Sequence, residues 1–359
     1  MPTRSRTTKK LTYRDAGVDV DANDLMVDLI RPHVRSTFGP RVLGRYGGFA
    51  GLFRLDAGDK GHARNYRDPV LVGCTDGVGT KVLVAAAAGK LDTVGIDLVA
   101  MNVNDMLTCG AEPLFFLDYV AIHKLDPRTV AQIVAGVAAG CREADCALLG
   151  GETAEMPDVY KPGDFDLAGF AVGVIERSRI IDGSRIVPGD VVIGLPSSGF
   201  HSNGYALVRR LVFTKAGLRI DEHIDALGET VGDALLRPTC IYVRPIRSLL
   251  AGNGRRTAVR GMAHITGGGL IGNVPRVLPR NCAVVLRRNT WPVPRVFGWI
   301  EQLGADPEDM WKTFNMGIGY VLIVRRTGAA GVMRELEAAG QPAMEIGYVK
   351  RGRPSVEIK

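Results

Sequence analysis

The chain holds 359 residues, of which 46% are hydrophobic and 23% charged, with 45 glycines and a net charge of +7. That balance belongs to a soluble globular protein long enough for two domains, and it excludes fibrous classes because the glycines follow no fixed period. The basic surplus is scattered in pairs such as Arg209-Arg210 and Arg287-Arg288, which reads as a solvated surface and predicts no nucleic-acid partner.

Residues 1–10 read as a disordered basic tail without the apolar core of a signal peptide. A strand is expected at Val70–Cys74, helices from about Val78 to Ala88 and from about Gly95 to Cys109, and a strand at Leu114–Ala121. The longest apolar run, Val82–Ala88, is far too short to span a bilayer, so no membrane partner is expected. Asp126-Pro127 opens a third helix, with Asp as N-cap and Pro in the first helical position. Strands are expected at Ala147–Leu149 and Leu167–Val174. The turn signals Asp182-Gly183 and Pro188-Gly189 divide the chain into domains at 11–176 and 177–359. The second half alternates again, with strands at Val191–Leu195, Met262–Ile265, Ala283–Leu286, Gly319–Val324 and Ala343–Val349. Its helices are expected at Tyr205–Lys215, Arg295–Leu303 and Gly331–Ala339. Both halves are therefore α/β, with mixed sheets. Six cysteines without a CxxC pair predict reduced thiols and a cytoplasmic protein.

Four segments carry chemistry. On the helix within Gly95–Pro113, Asp97, Asn104 and Asp105 share one face. Three oxygen-bearing side chains without a basic neighbour suit Mg²⁺, or else form a solvated polar face. The strand entering Thr75-Asp76-Gly77-Val78-Gly79-Thr80-Lys81 offers backbone N–H groups to a phosphate and the point charge of Lys81. Its spacing is not that of a Walker A loop. Upstream, the stretch containing Gly47 and Gly48 could close over a triphosphate or be a plain loop. Gly150-Gly151-Glu152 follows a strand and suits a ligand-facing strand end. In the second half, Ser202-Asn203 opens a helix, and Thr266-Gly267-Gly268-Gly269 follows a strand as a second candidate phosphate cradle. His201 and His264 read either as hydrogen-bonded structural residues or as catalysts.

Together these segments resemble the aminoimidazole ribonucleotide synthetase family. The resemblance runs from Leu11 to Gly347 through GGFAGLF at 47–53, TDGVGTK at 75–81, GIDLVAM at 95–101, GGETAEMP at 150–157, HSNGY at 201–205, HITGGG at 264–269 and FNMGIG at 314–319. The superfamily's Asp-x4-Gly-Ala-x-Pro signature is present as Asp105, Gly110, Ala111 and Pro113. Small departures, Asn102, Asp158 and Phe200, touch none of the acids or glycines invoked.

The resemblance implies a two-domain ATP-binding fold and a homodimer paired through the amino-terminal sheets. It implies ATP-dependent cyclisation of formylglycinamidine ribonucleotide in purine biosynthesis, by way of an iminophosphate. ATP would lie on Gly47, Gly48, Asp76, Gly77, Gly79, Lys81, Asp105, Gly110, Gly150, Gly151 and Glu152. Asp76, Asp97 and Asp105 would hold Mg²⁺, Lys81 would neutralise the transferring phosphate, and His201 would take the amidine proton. Thr266, Gly267, Gly268, Gly269, Ser202 and Asn203 would bind the substrate phosphate. A selenophosphate synthetase is disfavoured because the first cysteine is Cys74. A basic nucleic-acid- or ATP-binding non-enzyme is disfavoured by the intact acidic motifs.

Overall fold

A computed structural model describes residues 20–43, 46, 50–55, 66–252 and 258–359. The expected tail at 1–10 and the expected nucleotide contacts Gly47 and Gly48 lie outside the described residues. Helix α1 (Val20–Arg35) and the short strands β1 (Val42–Leu43) and β2 (Leu52–Phe53) come first. Strand β3 (Pro69–Gly77), helices α2 (Lys81–Ala88) and α3 (Asp92–Leu107), strand β4 (Glu112–Ile122), helix α4 (Pro127–Glu143) and strands β5 (Ala147–Glu155) and β6 (Phe165–Glu176) follow.

Strands β3 to β6 form one sheet in the order β3-β6-β4-β5, with β4 and β5 parallel and the other neighbours antiparallel. Asp126 caps α4 as its residue type predicts, its carboxylate accepting the Thr129 N–H at 2.8 Å. Helices α3 and α4 cross at a glycine. A Cβ on Gly136 would lie 1.8 Å from the Asp92 carbonyl oxygen, so only hydrogen permits this approach. Helix α1 packs on α4, and its interior Pro32 obscures it in the sequence.

The second half begins with β7 (Val191–Pro196), α5 (Tyr205–Arg209), β8 (His223–Ile224), β9 (Glu229–Thr230), α6 (Val231–Leu235) and α7 (Val243–Ala251). Then come β10 (Val259–His264), α8 (Gly269–Asn273), β11 (Cys282–Leu286), α9 (Arg295–Gln302), α10 (Pro307–Thr313), β12 (Ile318–Val324), α11 (Ala329–Ala338), β13 (Met344–Arg351) and β14 (Val356–Ile358). Its six-stranded mixed sheet has the order β10-β12-β7-β13-β11-β14. The expected helix Tyr205–Lys215 is α-helical only to Arg209 and continues as a π-helix over Arg210–Lys215.

The two sheets are joined through a buried ion pair. Lys81, the first residue of α2, places its ammonium 2.7 Å from Asp97 Oδ2 on α3, and both side chains are fully excluded from solvent. The Lys81 Nζ also donates to the carbonyls of His201 (2.9 Å) and Arg237 (2.7 Å), so the ammonium is held by polar groups of the second half as well as by Asp97. Asp97 Oδ1 accepts from both the backbone N–H (2.7 Å) and hydroxyl (2.6 Å) of Thr239. About two turns further along α3, Asn104 donates to the Cys240 carbonyl and accepts the Tyr242 N–H. Residues 239–242 are thus stitched to α3 by the side chains of Asp97 and Asn104.

His201 belongs to the same clasp. It sits at φ 58°, and its Nε2 accepts the Ser198 N–H at 3.2 Å and the more distant Cys240 N–H at 3.5 Å. Burial, with His264 and Lys81 adding to it, pushes its pKa well below the ordinary value, so the ring is neutral. Because the folded-state pKa is depressed, the unfolded chain takes up a proton here that the folded chain refuses. Stability is therefore lost as pH falls below the unfolded value of about 6.5, by up to about 1.4 kcal/mol per pH unit for this one group. In His201→Gln, which keeps an acceptor near Nε2, urea unfolding between pH 6.5 and 5 is expected to show a shallower decline than wild type. Parallel declines would show that His201 does not titrate with unfolding.

Candidate active site in the cleft between the domains

Asp76 lies near the end of β3 and accepts the N–H of Gly77 at 2.8 Å. Asp105, in the last turn of α3, approaches the same place with its side chain half exposed. Burial raises the Asp76 pKa, the charge of Asp105 raises it further, and the Gly77 N–H and His264 oppose the shift. A carboxylate whose ionisation is opposed by burial and by a second carboxylate is relieved by a cation, so the two acids are a donor set for a divalent ion. From the second domain, His264 at the end of β10 brings its Nδ1 to 2.8 Å from Asp105 Oδ1.

The expected triad of metal ligands does not assemble. Asp97 is committed to Lys81 and Thr239, away from Asp76 and Asp105. Lys81 likewise reaches no exposed surface, so its expected contact with phosphate is replaced by its contact with Asp97. The polar face of α3 was expected to meet solvent or a cation. It meets the second domain instead, and only Asp105 at its end remains accessible. His201 fails as the expected base for a geometric reason: its accepting nitrogen is engaged by backbone N–H groups, and its ring is buried.

Gly77 is the last residue of β3 and Gly79, at φ 70°, lies in the turn that leads into α2. Gly150, Gly151 and Glu152 are not in a loop after a strand. They lie within β5 and line a cavity of about 1060 Å³ beside α1, with Tyr46 and Asp118. Asp118 stands in one cross-strand row with Asp76, Gly169 and Gly151. A Cβ on Gly151 would fall 1.9 Å from Asp118 Oδ1, so this glycine makes room for a carboxylate of its own protein. Burial pushes the Asp118 carboxyl up to about 7. Sequence reading missed Asp118; the available signal was a lone acid inside the apolar run Leu114–Tyr119. Gly110 ends α3 at φ 84° and lines a different cavity, of about 630 Å³, with Glu112 and Arg247.

In the second domain two of the residues expected at the substrate phosphate, Asn203 and Gly267, meet, while Ser202 and Thr266 bond to other residues. The Gly267 N–H donates to Asn203 Oδ1 at 2.8 Å, Ser202 Oγ lies 3.2 Å from Thr239 Oγ1, and Thr266 Oγ1 meets Asn273 Oδ1 at 3.3 Å. The Asn203 Nδ2 is buried without a partner among the described residues. The turn itself uses two of the donors expected to be free, Gly267 N–H on Asn203 and Gly269 N–H on the Thr266 carbonyl. Gly268 and Gly269 have φ of 108° and 59°, so the glycine run is required first by the backbone.

Comparison with known proteins follows this geometry. Residues 58–175 match the family described as AIR synthase related protein, N-terminal domain, and residues 187–359 match AIR synthase related protein, C-terminal domain. The chain is 54% identical over 346 residues to the phosphoribosylformylglycinamidine cyclo-ligase of Anaeromyxobacter dehalogenans, covering 96% of this chain and 97% of that one. It is 50% identical to the enzyme of the same name from Carboxydothermus hydrogenoformans, covering 98% and 99%. The fold is similar to that of the hydrogenase maturation protein HypE solved in complex with ATP, with a TM-score of 0.64 at 19% identity, covering 96% of this chain and 92% of that one. No helix among the described residues is long and apolar enough to cross a membrane. The chain belongs to the phosphoribosylformylglycinamidine cyclo-ligases, ATP-dependent ligases of purine biosynthesis with the two-domain fold of the AIR synthase related proteins.

Proposed function

We propose that the cleft between Asp76, Asp105 and the second domain is where formylglycinamidine ribonucleotide is cyclised to 5-aminoimidazole ribonucleotide, with release of ADP and phosphate. The observation that carries this reading is the half-exposed Asp105 carboxylate beside Asp76, facing a second domain that carries the Asn203–Gly267 turn. Ring closure needs an amidine nitrogen to attack a formamide carbon and expel its oxygen. An amide oxygen leaves poorly at neutral pH, so phosphoryl transfer from ATP onto that oxygen makes an iminophosphate from which phosphate departs readily. The protein's contribution is then positioning and charge stabilisation.

Asp76 and Asp105 would hold Mg²⁺, which when bound neutralises charge on the triphosphate. Asp97 and Lys81 act one layer below, fixing α2 and α3 so that the Gly77–Gly79 turn and Asp105 face the same space. Gly150, Gly151 and Glu152 border the nucleotide side of the site. Asn203, with Ser202, Thr266 and the glycines after it, faces the substrate phosphate, and the buried, unpartnered Asn203 Nδ2 supports an anion there. The likeness to a HypE solved with ATP supports nucleotide binding in this fold.

We also propose a homodimer in the cytoplasm, paired through the first sheet. The face of that sheet opposite α3 and α4 exposes Leu71 (65%), Phe170 (44%) and Tyr119 (40%) together. A solvated sheet face is ordinarily polar, and a contiguous apolar one marks an interaction surface. A second copy of the chain covers it with an identical face. Leu71→Asp with Phe170→Asp is expected to turn a dimer into a folded monomer in sedimentation equilibrium. A wild-type monomer, or a dimer surviving both charges, would overturn this pairing.

The chemistry is tested with substrate labelled by ¹⁸O at the formyl oxygen. With ATP and Mg²⁺ present, the label is expected in the released phosphate, one oxygen per product ring. Unlabelled phosphate formed alongside product would refute the iminophosphate route.

A further inference from the structure

The pairing of His264 with Asp105 has a consequence for the cation site. His264 is the last residue of β10, held in register opposite Tyr320 of β12, and its ring lies against the Tyr320 ring at 6.3 Å between centroids and 29° between planes. Its side chain is 1% exposed, so the ring is fixed by the second sheet. Asp105, by contrast, is 49% exposed on the last turn of α3, and His264 is the one side-chain partner of its carboxylate among the described residues. A carboxylate only accepts, so His264 Nδ1 carries the proton in this bond. The bond crosses between the domains and occupies Oδ1, leaving Oδ2 outside it.

We propose that His264 is a positioning residue that fixes the Asp105 carboxylate for the divalent cation of the nucleotide, so that the cation site is complete only when the two domains are docked. This rests on the reading of Asp105 as a ligand of that cation. Without the Nδ1–H, an exposed aspartate at a helix end rotates among staggered conformers and holds its carboxylate in the cation-binding orientation only part of the time. Hydrogen-bonding partners of metal ligands typically govern affinity by about 10- to 100-fold.

Two isosteric halves of the imidazole separate positioning from packing. The amide nitrogen of Asn sits where His264 Nδ1 does, whereas that of Gln reaches the place of Nε2. Binding of Mn²⁺ in the presence of ATP, read from the paramagnetic resonance of free Mn²⁺, is compared for wild type, His264→Asn, His264→Gln, Asp105→Asn and the Asp105→Asn/His264→Gln double variant. Melting curves confirm folding, and His264→Leu replaces His264→Gln under the same criteria should the latter not fold. The expected result is a dissociation constant raised about tenfold or more in His264→Gln, a change within about threefold in His264→Asn, and no further loss from His264→Gln once Asp105 is Asn. Equal losses in the Asn and Gln variants, or additive losses in the double variant, would overturn the positioning role while leaving Asp105 as a ligand. An Asp105→Asn variant that binds Mn²⁺ like wild type would overturn the ligand reading itself, and the positioning role with it.

Discussion

The Lys81–Asp97 pair is the interaction on which the rest of the site depends. Neither charge sees water, and burial pulls the Lys81 ammonium below its ordinary pKa while Asp97 opposes that pull. An isolated charge in this place would be too costly to keep. The pair persists because each charge has the other at 2.7 Å and further polar partners besides: two backbone carbonyls at Nζ, and two donors of Thr239 at Asp97 Oδ1. Those carbonyls and donors belong to residues 201 and 237–239, so satisfying the charges requires the second domain to be in place. A buried ion pair is weak evidence of net stability, since well-packed apolar residues can serve as well. What it supplies here is a single arrangement of α2, α3 and the 237–242 segment.

From that arrangement the cleft follows. Helix α3 turns its polar face into the second domain, with Asp97 and Asn104 fully buried and Asp105 emerging at the edge. The Gly77–Gly79 turn is held by the helix that begins at Lys81. The site is therefore an edge of the domain interface, and its acids are positioned by residues that take no part in binding.

Much of the local structure was legible in the sequence. Periodicity located α3, α4 and the strands around them, and Asp126-Pro127 marked a helix start that the structure shows with its cap bond formed. The two regions of the second domain chosen as a phosphate cradle do meet, through Asn203 and Gly267. What could not be read was which polar residues answer one another across the chain. Asp97 finds Thr239 at a separation of 142 residues, and a helical wheel cannot distinguish a face toward solvent from a face toward a distant domain. The glycines misled for a related reason. Gly151 and Gly269 look like openings for a ligand, yet each is small because Asp118 or the Trp311 carbonyl lies against it. Asp118 was overlooked because apolar neighbours concealed it.

The central claim, that the buried pair is a unit holding the domains in one arrangement, is tested by a double-mutant cycle in urea unfolding. Lys81→Met leaves a buried aspartate unpaired and Asp97→Asn leaves a buried ammonium unpaired, and each is expected to lose about 3–5 kcal/mol. The double variant Lys81→Met/Asp97→Asn leaves neither charge and is expected to lose far less than the sum, a coupling of at least about 2 kcal/mol. Additive losses, or single losses within about 0.5 kcal/mol of zero as at an ordinary surface site, would contradict the account.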